Sequence, residues 1–163
     1  MDSVLTEADE DAGAYEITVG GVTHEMSCQP VIMSHHNGVL TVKEVWKETV
    51  GSHADSQHTL VQTLYHQYDD SGNLLSKFKV TEFGCSQELP YSLTVGNATC
   101  QQAALKTVTI EEQIFEGVYS SSVLVGEDGE LYALLIFTDG TRLYRIDPKE
   151  KDAEFTDWDV SCD

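Results

Sequence analysis

The sequence predicts an all-β fold, an antiparallel meander of about eight to ten strands curled into a barrel or half-barrel, with a β-sandwich as the alternative. Three observations predict it. Apolar and polar residues alternate with a period of two over many stretches. Short turn signals such as Asn37-Gly38, Asp69-Asp70-Ser71-Gly72-Asn73 and Asp139-Gly140 separate those stretches. No stretch sustains the period of a long helix.

Residues 1–14 are acidic and read as a flexible arm, with residues 15–163 as a single barrel-like domain. Residues 15–19 alternate and meet Gly20-Gly21, a strand ending at a turn, and residues 22–27 fit as its hairpin partner. Pro30 interrupts, residues 31–33 are a brief apolar run, and His35-His36 lead into an Asn-Gly turn. Residues 39–50 form the next strand. Their apolar phase changes near Lys43-Glu44, which implies a β-bulge or strong curvature. A helix also fits Val42, Val45, Trp46 and Thr49, but the β-branched content favours a strand.

Residues 51–57 are a polar loop. In residues 59–68, Leu60, Leu64 and Tyr68 share a face with Gln62 and His66, while Val61, Thr63 and Tyr65 take the other. The chain returns over residues 74–83 with Leu74, Phe78 and Val80 on one face and Lys77, Lys79 and Thr81 on the other. Residues 85–90 are a loop, 91–95 a short strand, and 100–105 have helical character. A strand over 107–118, bent near Gly117, passes to a partner over 119–125. Then two strands, 131–137 and 142–146, enclose the turn Thr138-Asp139-Gly140-Thr141, whose centre calls for residues that tolerate φ > 0. The first is apolar on both faces: Leu131, Ala133, Leu135 and Phe137 on one, Tyr132, Leu134 and Ile136 on the other. It reads as a central strand covered on both sides and as one wall of any ligand site. Residues 148–163 carry Phe155 and Trp158 and read as a short helix or a strapped-down tail.

Cys28, Cys85, Cys100 and Cys162 are even in number and widely spaced, without a Cys-x-x-Cys pair, so a disulfide frame is expected rather than a zinc ribbon. Of three connectivities, Cys85 with Cys100 closes a short loop and Cys28 with Cys162 pins the tail. Asn97-Ala98-Thr99 is a glycosylation sequon in a turn-rich segment. Together these features point to a secreted, extracellular protein. No apolar run approaches a membrane span, and residues 1–13 lack the pattern of a signal peptide.

Twenty-eight acids against nine bases give a formal charge of −19, which disfavours nucleic acid and anionic membrane surfaces. No chemistry-bearing constellation stands out. Six histidines lack a metal-site spacing, no Gly-x-Ser-x-Gly elbow occurs, and Glu111-Glu112 on a strand would point to opposite faces. No catalytic residue, metal site or cofactor is therefore assigned, and an enzyme is the less favoured class. The architecture is calycin-like, but the Gly-x-Trp signature of lipocalins is absent, because Trp46 has Glu44 two residues before it. The leading expectation is a binding protein holding a small hydrophobic or amphipathic ligand inside the barrel. Leu64, His66, Tyr68, Phe78, Phe115, Leu135 and Phe137 would line the site, with His66 and Tyr68 placing hydrogen bonds. The alternative is an acidic interaction or inhibitor protein that binds a basic partner, its barrel filled by its own side chains.

Overall fold

The computed structural model describes residues 5–9, 14–48, 58–95, 98–148 and 160–162, and every regular element among them is a β-strand. Strands β1 (Leu5–Asp9), β2 (Ala14–Val19) and β3 (Val22–Met26) form a small antiparallel sheet, so the acidic stretch before Tyr15 contains a paired strand. Next come β4 (Val31–His36), β5 (Val39–Glu48), β6 (His58–Asp69) and β7 (Leu74–Cys85). The short hairpin β8 (Leu93–Val95) and β9 (Ala98–Cys100) is followed by β10 (Lys106–Ile110), β11 (Gln113–Val125), β12 (Leu131–Phe137) and β13 (Gly140–Ile146). The last described strand is β14 (Val160–Cys162).

The main sheet runs β13-β12-β11-β10-β7-β6-β5-β14, with β4 also on β5. It is the expected meander, interrupted by the β8–β9 insertion. It curls through 213° into an open half-barrel. The concave face is packed with Tyr65, Phe78, Val80, Val108, Ile110, Val118, Leu131, Ala133, Leu135 and Ile146. Tyr65 stacks on Phe78, its cross-strand partner, with centroids 4.8 Å apart.

Two smaller cores lie on the convex face. At one end β2 and β3 cover Leu40, Val42 and Tyr68 with Ile17, Val19 and Met26. At the other, Leu89, Ala98 and Cys100 cover Leu60, Phe83 and Cys85. Strand β6 is thus the one sealed on both faces. Residues 131–137 were expected in that role. Instead β12 buries Leu131, Ala133 and Leu135 inward and leaves Tyr132, Leu134 and Ile136 half-buried outside, because only β13 separates it from the sheet edge.

Both expected disulfides form. Cys85–Cys100 spans 15 residues beside the β8–β9 core, and Cys28–Cys162 spans 134 and holds β14 near the end of β3. The disulfide and β14 hold down the segment Val160–Cys162, while residues 149–159, for which a short helix was the other reading, lie outside the described residues.

Four local expectations need correction. The strand expected over 107–118 is broken by a tight turn at Glu111-Glu112, with Glu111 at φ 54°, so β10 and β11 are separate and Ile110 faces Gln113. Strand β11 then runs unbroken through 119–125, bulging at Gly117, where Val118 and Phe115 pair with Lys106 and Val108. Residues 100–105 turn without forming a helix. The turn before β13 is centred on Thr138-Asp139 with Phe137 facing Gly140, and of these residues only Gly140 has positive φ. The Asn37-Gly38 turn has positive φ at both residues, as read.

The bulge near Lys43-Glu44 lies in the neighbouring strand. Met33 is the extra residue in β4, between the pairs Ile32–Val42 and Ser34–Thr41, while the β5–β6 register is unbroken. The apolar phase of β5 blurs because its buried residues include Leu40, Val42 and the charged Glu44 outward and Thr41 inward.

Candidate functional site

Two places gather charged groups in the interior. The first is on the convex face. Consecutive residues of a strand point to opposite sides, so Leu64, His66 and Tyr68 face outward beside Val42 and Glu44 of β5. His66 Nε2 lies 2.8 Å from Glu44 Oε1, and the other carboxylate oxygen accepts the backbone N–H groups of Ser27 (2.8 Å) and Cys28 (2.9 Å). Burial alone would push the Glu44 carboxyl upward. The bond to His66, the Cys28 N–H, the attraction of His66 and the Ser27 N–H outweigh it and hold the carboxyl below its ordinary value. Tyr68 lies beside this pair, and burial followed by the Glu44 charge drives its hydroxyl well above the usual tyrosine range. The His24 ring packs on Tyr68 at 4.4 Å and bonds the Gly72 carbonyl at 2.8 Å.

The second place is on the concave face. Glu82 pairs with Lys106 at 2.5 Å and accepts the Ser121 hydroxyl at 2.9 Å. Glu82 and Ser121 border a pocket of about 30 Å³ that Tyr65, Val108 and Ala133 also line. Such a volume holds a water or two, far below the ~300 Å³ of a typical small-molecule site. Burial, then the Glu82 charge, raises the Tyr65 hydroxyl.

The seven residues expected to line one cavity are therefore divided by the sheet itself. Phe78 and Leu135 are fully buried in the concave core, with Phe115 and Phe137 packed against it. Phe115 meets Tyr144 edge-on at 5.2 Å, and Phe137 lies under the Arg142 guanidinium at 4.2 Å. Leu64, His66 and Tyr68 are on the opposite face. His66 does make a hydrogen bond, but to Glu44. The other histidines scatter: His35 pairs with Asp70, His58 packs near Phe83, and His36 is exposed, while His53 lies outside the described residues. No group of three or more His, Cys, Asp or Glu side chains converges on a metal-sized site among the described residues. Asn97 of the sequon also lies outside them.

Sequence reading missed Glu44, Glu82, Lys106 and Ser121. Each sits on a strand whose neighbours also carry polar residues, so alternation alone does not mark it.

A final contact closes the architecture. The Gly126–Glu130 turn reaches from β11 across to the opposite arm. The Asn37 amide donates to the Glu127 carbonyl, and the Gln67 amide donates to the Gly129 carbonyl at 3.2 Å and to Thr41 Oγ1 at 3.0 Å. Ser76 donates in turn to Gln67 Oε1 at 2.9 Å. This chain of bonds ties the two arms of the half-barrel at that end. No described helix is long and apolar enough to cross a membrane. Comparison of the chain with protein-family models, with curated proteins and with solved structures finds no match.

Proposed function

We propose that the protein is an extracellular interaction domain that presents an acidic outer surface to a basic protein partner. The observation that carries this reading is the packed concave face. Among the described residues that face is filled with the protein's own side chains around a pocket of about 30 Å³, while a formal charge of −19 has to reside largely outside. Two disulfides suit an oxidising compartment, and glycosylation at Asn97 would follow from it. The ligand-carrier reading has less support, because its seven lining residues stand on two sides of the sheet.

Native mass spectrometry of the protein purified from its source tests the proposal. A basic protein bound in simple stoichiometry, released when ionic strength rises well above 0.1 M, where the screening length is about 10 Å, is the expected result. A co-purifying lipid-sized molecule that survives high salt would sink it and restore the carrier.

A further inference from the structure

We infer that the free edge of β13 is a self-pairing surface, and that two copies join antiparallel through it about a two-fold axis at Leu143. Among the described residues β13 pairs on one side only, with β12, over an unbroken seven-residue register. In a two-residue hairpin the pair flanking the turn is hydrogen-bonded. Phe137 and Gly140 are that pair, so Arg142 and Tyr144 turn their backbone groups toward β12. Thr141, Leu143 and Arg145 turn theirs outward, where no described strand meets them.

The usual protections of an open edge are missing here. There is no proline, no lysine and no bulge against β12. By contrast β4, on the other arm, is broken by the extra residue Met33. The two charges on β13 are already engaged within the chain. Arg145 holds Glu130 through Nε (2.9 Å) and Nη2 (2.7 Å), and Arg142 lies over the Phe137 ring. Leu143 is left 60% exposed.

The strand is self-complementary. With Leu143 on the axis, Leu143 exchanges both backbone bonds with its copy, and Thr141 does so with the copy's Arg145. Arg142 then faces the copy's Tyr144, so no arginine opposes another, which cross-strand pairing would penalise. On the outer face Leu134 is the cross-strand neighbour of Leu143, so the two copies would align Leu134, Leu143, Leu143 and Leu134 in one apolar row.

The self-complementary register points to a second copy as the occupant. Two chains of −19 repel, but residues 140–146 contain two of the nine bases and no acid, with Asp139 and Asp147 flanking them. Contact at β13 brings no acid of the strand itself against the copy, and added salt should strengthen it by screening the remaining repulsion. This sign is opposite to that expected for the basic partner, so the two readings fail independently.

Sedimentation equilibrium of the full chain at 0.05 and 0.5 M sodium chloride is the test, with Leu143→Lys and Leu143→Pro as variants. The proline removes an N–H that points outward, and the lysine places two cations on the axis. The expected result is twice the 18.0 kDa chain mass, with tighter association at high salt. Each variant should weaken association by at least about tenfold, with an unchanged far-ultraviolet spectrum and both disulfides intact. A wild-type monomer at every concentration and salt overturns the proposal. So does a dimer that salt weakens, or one that either well-folded variant leaves untouched.

Discussion

His66 and Glu44, on neighbouring strands of the convex face, form a hydrogen-bonded pair 2.8 Å apart from which solvent is almost entirely excluded. The same carboxylate receives the backbone of Ser27 and Cys28, so one side chain fastens the link between the small sheet and the large one. Removing one partner of such a pair strands the other. Glu44→Ala should therefore cost about 3–5 kcal/mol in urea unfolding. Glu44→Gln keeps an acceptor for the two N–H groups and should cost less. Equal losses in the two variants would show that the charge, and not the anchoring, is what matters.

Stability should also fall in acid. The Glu44 carboxyl titrates lower in the folded chain than its ordinary value of 4.5. Below that value the unfolded state binds more protons, so stability is lost as pH falls from 4.5 through the depressed folded value. Asp69 acts in the same direction, held low first by the Asn73 N–H. Glu44→Gln should therefore flatten, without abolishing, the decline measured by denaturant titration between pH 5 and 3. A decline unchanged by the substitution would contradict this account.

Two turns interlock through glycine. A Cβ on Gly72 would collide with the Val19 carbonyl and the Val22 side chain, and one on Gly20 with the Asp70 carbonyl. Both residues also have positive φ. Gly72→Ala should cost at least about 2 kcal/mol through strain and collision together. Gly21→Ala, at φ 82° but with open space around it, should pay only the backbone term of about 1 kcal/mol. Comparable losses for the two would mean that the turns can separate freely.

The disulfides should open in a fixed order. Cys85 and Cys100 are each 5% exposed within the β8–β9 core, whereas Cys162 is exposed although its partner Cys28 is buried. Graded reduction followed by alkylation and peptide mass mapping should label Cys28 and Cys162 first. Their loss should nevertheless cost more, because loop entropy assigns about 5 kcal/mol to a loop of this length and about 3 kcal/mol to a 15-residue loop. Calorimetry of the two double-serine variants measures the difference.

The concave core offers a fifth test. Phe78→Ala, at a fully buried position stacked on Tyr65, should lose about 3–5 kcal/mol. Small-molecule uptake by the variant, absent in the wild type, would show that the volume once held by the ring is open to ligands.

Much of this fold was legible from turn chemistry. Asn37-Gly38 and Asp69 to Asn73 mark their hairpins because those residue types accept the backbone the turns require. Glu111-Glu112 does not, since glutamate seldom takes positive φ, and a real hairpin was read as one long strand. Period-two alternation sorted the side chains of β6 correctly into two sets. It could not say which set faced inward, because both are apolar and both are buried, one by the half-barrel and one by the small sheets. The cavity was therefore drawn with residues from both sides. Glu44 escaped notice because its burial depends on Ser27 and Cys28, which arrive from another sheet.

The wide separation of Cys28 and Cys162 has a consequence during synthesis. Apart from β10 on β7 and β14 on β5, the pairings in the main sheet join strands that emerge one after another, and Cys85 can close with Cys100 as soon as both have left the ribosome and reached an oxidising environment. Cys28 emerges before either of them, yet its partner lies 134 residues further along the chain. It must remain without its native partner, beside two thiols that could capture it, until Cys162 has emerged. Prompt closure of the local Cys85–Cys100 loop is what would protect it, so the small insertion acts as a safeguard on the order of oxidation.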